Sequence, residues 1–202
     1  FGLLIVTDCL PGYLLSFAVA SVVAFAVSWV LYKDEEKAAT VETETKCEIN
    51  VEPDSVYSPL KGEIIPLTEA PDKVFASEAL GKGIAINPTE GKVVAPFNGT
   101  VAMLYDTKHA IGLVSEDGVE VLIHIGLDTV KLNGEHFTEH VAQGDKVSCG
   151  QTLVTFDMDA ITKAGYPLVT PVIISNTPKF AEVSNVKMGN TDFSEKVLTV
   201  TK

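Results

Sequence analysis

Two of the four histidines in this 202-residue chain, His109 and His124, close the ends of one segment: His109-Ala-Ile-Gly-Leu-Val-Ser-Glu-Asp-Gly-Val-Glu-Val-Leu-Ile-His124. Asp117-Gly118 at its centre signals a two-residue hairpin turn, whose central residues must both accept positive φ. Such a turn pairs Glu116 with Val119, Leu113 with Leu122 and Ile111 with His124, and sets His109 opposite Gly126. Alternation then puts His109, Ile111 and Leu113 on one face with Leu122, His124 and Gly126. The two imidazoles become diagonal neighbours with Cβ atoms about 7 Å apart.

Paired imidazoles admit three readings. They can be half-exposed surface groups without a role. With Asp128 they could supply three metal ligands, although a metallopeptidase also needs a general base and usually tighter ligand spacing. They can also perform nucleophilic catalysis: a neutral imidazole attacks phosphorus near neutral pH. A second imidazole can donate a hydrogen bond to the developing charge. Gly126 clears space above His124, which favours a working site.

The elements that position this pair are strands. Short β-branched runs recur at Glu63–Leu67, Gly83–Asn87, Lys92–Ala95, Thr100–Leu104, Ala110–Val114, Val119–Ile125, Thr152–Phe156, Val169–Ile174 and Val197–Thr201, punctuated by Gly, Pro, Asn and Asp. Many short strands at this spacing predict an all-β protein, an antiparallel sandwich or barrel, over residues 56–202. One brief helix is expected at Asp157–Ala164, with Asp157 as N-cap and Gly165 just past its end. Ser58-Pro-Leu-Lys-Gly-Glu-Ile and Ala95-Pro-Phe-Asn-Gly-Thr-Val are echoes of one another, each a turn feeding a strand.

The N-terminal part differs. Leu10 to Tyr32 carries no charged residue, and Leu14–Tyr32 would extend about 28 Å as a helix, the thickness of a bilayer core. Trp29 and Tyr32 sit at one end, where interfacial aromatics belong. Asp8 precedes the run without any Lys or Arg, unlike a signal peptide. Ala20, Ala24 and Ser28 form a small-residue stripe suited to packing against another membrane helix. Residues 1–32 therefore read as the end of a larger membrane domain containing a transmembrane helix, and the Phe1 start is expected to be that of a fragment or processed product. Residues 33–55 hold three lysines against eight acidic residues, which makes a flexible, self-repelling tether.

The formal charge of −12 argues against a nucleic-acid surface, which needs clustered Lys and Arg. Cys9, Cys47 and Cys149 form no CxxC pair, so disulfides and zinc knuckles are not expected. His136-Phe-Thr-Glu-His140 matches the H-x-x-E-H zinc-protease pattern. That pattern needs a long helix, and Gly134 before it and Gln143-Gly-Asp-Lys after it leave room for one turn at most. Gly144-Asp-Lys-Val-Ser-Cys-Gly-Gln-Thr-Leu is like the rim of biotinyl and lipoyl carriers, but lacks their exposed hairpin lysine.

Several blocks carry a more specific likeness. Val56-Tyr-Ser-Pro-Leu-Lys-Gly-Glu, Pro71-Asp-Lys-Val-Phe-Ala-Ser, Gly81-Lys-Gly-Ile-Ala-Ile, Val94-Ala-Pro-Phe-Asn-Gly-Thr-Val, Thr107-Lys-His-Ala, Leu122-Ile-His-Ile-Gly-Leu-Asp-Thr-Val and Thr170-Pro-Val-Ile-Ile-Ser-Asn occur in order. Together they resemble the glucose-family IIA domain of the bacterial sugar phosphotransferase system, from about Val56 to the C-terminus. Ala164-Gly-Tyr and Phe137-Thr-Glu-His look like the β-glucoside branch, whose order IIB, IIC, IIA would place a IIC helix at Leu14–Tyr32.

The resemblance implies that His124 is the phosphorylated residue, that His109 supports it with Thr107 nearby, and that Asp72, Val74, Phe75 and Asp128 rim the site. It implies a phosphotransferase component that takes phosphate from the carrier HPr and passes it to a IIB cysteine, with sugar entering through IIC and no cofactor or metal. The corresponding location is the bacterial inner membrane, with the IIA domain cytoplasmic. The competing expectation is a membrane-tethered regulatory module that binds other proteins according to its phosphorylation state. No cysteine here sits in a IIB acceptor motif, so the acceptor is expected outside these residues.

Overall fold

A computed structural model of the chain describes residues 51–202. The expected span Leu14–Tyr32 and the tether up to residue 50 lie outside the described residues. Within them, no helix is long and apolar enough to cross a membrane.

In chain order the elements are β1 (Ser55–Tyr57), β2 (Gly62–Pro66), α1 (Lys73–Ala76), β3 (Lys82–Pro88), β4 (Lys92–Val94), β5 (Gly99–Leu104), β6 (Ala110–Ser115), β7 (Glu120–His124), β8 (Phe137–Glu139), β9 (Lys146–Val147), β10 (Thr152–Phe156), α2 (Met158–Lys163), β11 (Thr170–Ile174), β12 (Glu182–Asn185), β13 (Gly189–Thr191) and β14 (Lys196–Thr201). Among the described residues they form an eight-stranded sheet in the order β13-β2-β3-β11-β7-β6-β5-β9. Two three-stranded sheets, β1-β14-β12 and β4-β10-β8, accompany it. The pairings are antiparallel, as the strand spacing predicts.

The nine β-branched runs all become strands. α2 starts after Asp157, whose carboxylate accepts from the Ala160 N–H at 2.9 Å. Gly165 follows at φ +90°, the left-handed position that ends a helix. β1, β8, β9, β12 and β13 are not legible as strands because two to four residues offer too little alternation. They exist because partners distant in sequence satisfy their backbone groups. α1 is a single turn, below the length at which helical periodicity shows.

Residues 51–55, given to the tether on composition, are tied into the folded unit. Val51 packs on the core, Ser55 opens β1, and Glu52 and Asp54 pair with Lys196 and Lys202 at 2.7 and 2.9 Å. Tertiary partners outweigh an acidic composition here.

The main core joins Leu60, Ile86, Phe97, Ile111, Ile123 and Leu153, each at most 1% exposed, with their neighbours. β3 and β11 are apolar on both faces. Ile84, Ile86, Val172 and Ile174 enter the main core, while the alternate residues Ala85 and Ile173 meet a second cluster with Leu67, Phe75 and Leu127. Because successive side chains point to opposite faces, this second cluster fastens α1 and the loop after β7 to one patch of sheet. That patch adjoins the end of β7, where His124 stands.

The β6–β7 register differs by one residue from the two-residue turn. Ala110 pairs with His124, Ile111 with Ile123 and Leu113 with Val121. Ser115 N–H donates to Val119 O at 2.9 Å, and Gly118 N–H to Ser115 O at 3.1 Å. Glu116, Asp117 and Gly118 thus make a three-residue loop. Gly118 alone of the three takes positive φ, +86°, as expected where a turn is followed by one left-handed residue. Ile111 and Leu113 accordingly face the core with Val121 and Ile123, and not the side that carries Leu122 and His124.

Candidate functional site

The slip in register should have separated the histidines, since alternation now assigns His109 and His124 to opposite faces. They meet all the same, with ring centroids 4.9 Å apart and planes at 80°. Both stand where the regular pleat stops. His109 precedes β6 and follows Lys108 at φ +56°, while His124 ends β7, two residues before Gly126 at φ +69°. The departure from pleated geometry at both strand ends lets His109 turn toward its neighbour. Its ring is buried, at 4% exposure.

Two more rings extend the row. Tyr105 lies 5.3 Å from His109, and Phe75 lies 5.0 Å from His124. Phe75 arrives on α1, which is capped by Asp72: its carboxylate accepts from the Val74 and Phe75 N–H groups at 2.8 and 3.1 Å. Val74, one position earlier, is 55% exposed.

Hydrogen bonds set what each imidazole can do. His124 Nδ1 is 2.7 Å from Gly126 O. A carbonyl only accepts, so Nδ1 carries the proton and the neutral ring keeps its lone pair on Nε2. His109 Nδ1 is 2.6 Å from Thr107 Oγ1, a group able to donate or accept. Burial, then the nearby His124, pushes His109 down to about 4. His124 is also below its ordinary value through burial, partly offset by the Gly126 carbonyl and by the charges of Asp72 and Asp128. At neutral pH both rings are therefore uncharged, and one presents a fixed nucleophilic nitrogen.

Gly126 serves close packing and not the clearing of space above His124. A Cβ there would meet Thr129 Cγ2 at 2.7 Å and Pro167 O at 2.8 Å. Its N–H donates to Thr170 Oγ1 at 3.3 Å, Leu127 N–H donates to Pro167 O at 2.9 Å, and Thr129 Oγ1 donates to Ile125 O at 2.6 Å. This bracing aims the Gly126 carbonyl at His124. Thr129 and Thr170 lie within the ordered blocks, but their bracing role is not legible there, and Tyr105 lies outside every block; for Thr129 the local signal is its place four residues after Ile125, since Thr back-bonds at that spacing.

Asp128 does not complete a metal site. It takes φ +61°, and its carboxylate pairs with Lys131 at 3.0 Å. No group of three His, Cys, Asp or Glu suited to a metal occurs among the described residues. The H-x-x-E-H segment straddles β8, with His136 just before it and His140 just after; Phe137 is buried against Phe156, and His140 Nε2 is 2.9 Å from Thr155 Oγ1. Burial pushes the Cys149 thiol up to about 11, which makes it a poor nucleophile at neutral pH.

A half-buried neutral imidazole with an oriented lone pair, edged by a second, buried imidazole, suits transfer of a group between nitrogens. Residues 54–180 match the family described as phosphoenolpyruvate-dependent sugar phosphotransferase system, EIIA 1. The chain belongs to this family.

This EIIA chain is 45% identical over 187 residues to the PTS system beta-glucoside-specific EIIBCA component of Dickeya chrysanthemi, a match covering 90% of the chain and 29% of that protein. To the component of the same name from Bacillus subtilis (strain 168) it is 48% identical over 145 residues, covering 72% and 24%. The EIIA chain thus spans less than a third of the length of these curated relatives. Among solved structures, glucose permease IIA from Mycoplasma capricolum matches with TM-score 0.68 and 39% identity, covering 71% of this chain and 93% of that one.

Proposed function

We propose that His124 is the phosphoryl carrier of a sugar-uptake relay. Its Nε2 lone pair attacks the phosphorus of phosphorylated HPr. The P–N bond to the donor imidazole breaks, and that electron pair returns to the donor ring. A IIB cysteine thiolate then displaces His124 in the same manner, and the sugar entering through IIC receives the group. The observation that carries this reading is the 2.7 Å bond from His124 Nδ1 to Gly126 O, because it holds the proton on Nδ1 and leaves Nε2 unprotonated for attack.

His109 serves the phosphoryl oxygens, which can only accept. For it to donate from Nε2, Thr107 must donate to its Nδ1, and the 2.6 Å contact allows that. An uncharged His109 fits this part, since its single proton then lies where the charge develops. Phe75 and exposed Val74 provide an apolar rim that excludes water from the partner's donor or acceptor, with Asp72 and Asp128 at its edge. No metal is needed for an in-line transfer that rests on positioning and hydrogen bonds.

The names of the relatives support placing this domain after IIB and IIC in one polypeptide. We read Leu14–Tyr32 as a IIC membrane helix, residues 33–50 as the tether, and the EIIA fold as lying on the cytoplasmic side of a bacterial inner membrane. A β-glucoside is the sugar class those names favour. Incubation with phosphorylated HPr should add one acid-labile phosphoryl group per chain, and a label retained by His124→Ala would sink the assignment.

A further inference from the structure

The turn that carries Thr107 is held from two sides, and one of the holds has no place in the relay described above. Tyr105 to Lys108 closes by Lys108 N–H donating to Tyr105 O at 2.7 Å, and Tyr105 N–H donates to Ala110 O at 3.2 Å. Lys108, which has a Cβ, sits at φ +56°, a conformation that costs energy unless its surroundings enforce it. Its ammonium pairs with the carboxylate of Glu139. Glu139 belongs to β8 in a different sheet, opposite Val154 of β10, and the next residue, His140, donates its N–H to Leu153 O at 2.9 Å. The backbone behind the carboxylate is therefore fixed. Gly134, just before β8, lies against the same turn: a Cβ there would be 3.6 Å from Thr107 Cα.

We infer that Glu139 and Lys108 form a positioning pair that locks the Tyr105–Lys108 turn to β8, so that the Thr107 hydroxyl stays aimed at His109. Neither residue touches the reacting atoms. The pair spans two sheets and reaches within one residue of both Thr107 and His109, so its loss would loosen the hydrogen bond on which His109 depends. Glu139 is kept ionised below the usual carboxylate range, first by its hydrogen bond to Lys108. The pair is partly exposed, with side-chain exposures of 30% for Lys108 and 43% for Glu139. Exposed ion pairs add little to global stability, so the effect belongs to local geometry. This inference rests on the relay reading in one respect, that His109 assists departure of the phosphoryl group.

The test compares the parent chain with Glu139→Gln, Lys108→Gln and the double variant, each first labelled by phosphorylated HPr and then mixed with a purified β-glucoside-type IIB domain. All four should label to the same extent. At saturating IIB, each single variant should pass the group on about three- to tenfold more slowly, with an unchanged KM for IIB, since small misplacements of catalytic groups cost rate. The double variant should be no slower than the singles, because one interaction is lost in all three. The 15N resonance of His109 Nδ1 should move in each variant, a change that a merely structural loss elsewhere would not produce. Single variants within about twofold of the parent, or a double variant slowed by the product of the single effects, would overturn the pair's role. Failure of the parent itself to take label would instead fault the relay reading.

Discussion

The burial of His109 makes an acid-stability prediction with a definite size. Its ordinary value is 6.5 and the fold lowers it to about 4, with the ring 4% exposed. Between those two values the unfolded chain binds a proton that the native protein refuses, so stability rises with pH across this window. The cost is absent above pH 6.5, grows as pH falls toward 4, and is complete below that. The difference between the two values corresponds to a ceiling of about 3 kcal/mol, and at pH 4.5 the expected loss is about 2 to 3 kcal/mol. His109→Gln removes the titrating group while keeping a polar side chain beside Thr107. Urea unfolding followed by near-UV circular dichroism at pH 7 and pH 4.5 should show the parent losing about 2 to 3 kcal/mol more than the variant. Carboxylates titrate in both proteins, and His124 titrates in both with only its coupling to His109 altered. Equal losses in parent and variant would refute the argument that His109 is held neutral by the fold.

Three further outcomes follow from the same geometry. His109→Gln should still be labelled by phosphorylated HPr but pass the group to IIB about 100-fold more slowly, the usual scale for one lost oxyanion donor; labelling on His109 with His124 dispensable would reverse the roles. Gly126→Ala places a Cβ 2.7 Å from Thr129 Cγ2 at φ +69°, so it should lower stability by about 1 to 3 kcal/mol and slow labelling, as read by a urea melt and a phosphorylation time course. Asp72→Asn keeps a good N-cap but removes a charge that raises His124; the acid limb of the initial labelling rate should move to lower pH while the melting temperature holds.

How far the residues alone could be read depends on the range of the interaction involved. The β-branched runs, the Asp157 cap and Gly165 are local preferences, and each appears in the fold where the sequence places it. The family resemblance of the ordered blocks agrees with the match over residues 54–180. The hairpin that joins His109 and His124 was likewise legible, because it is a short-range object, but the contact of the two rings comes from the irregular strand ends and not from alternation. The hairpin's register was not legible. Asp117-Gly118 suits both two-residue and three-residue loops, and the choice fell to burying Ile111 and Leu113 with Val121 and Ile123.

The chemistry of the pair was decided at longer range still. Phe75 meets His124 ring to tilted ring across 49 positions of sequence because Ala85 and Ile173 give α1 an apolar seat. The Gly126 carbonyl selects the tautomer of His124, and Thr129, Pro167 and Thr170 hold that carbonyl in place. Glu139 meets Lys108 across two sheets. Sequence determined which residues could act and which segments could pair. Only tertiary structure decided which nitrogen holds the proton, because burial and the aim of a single carbonyl depend on chain segments that no local pattern brings together.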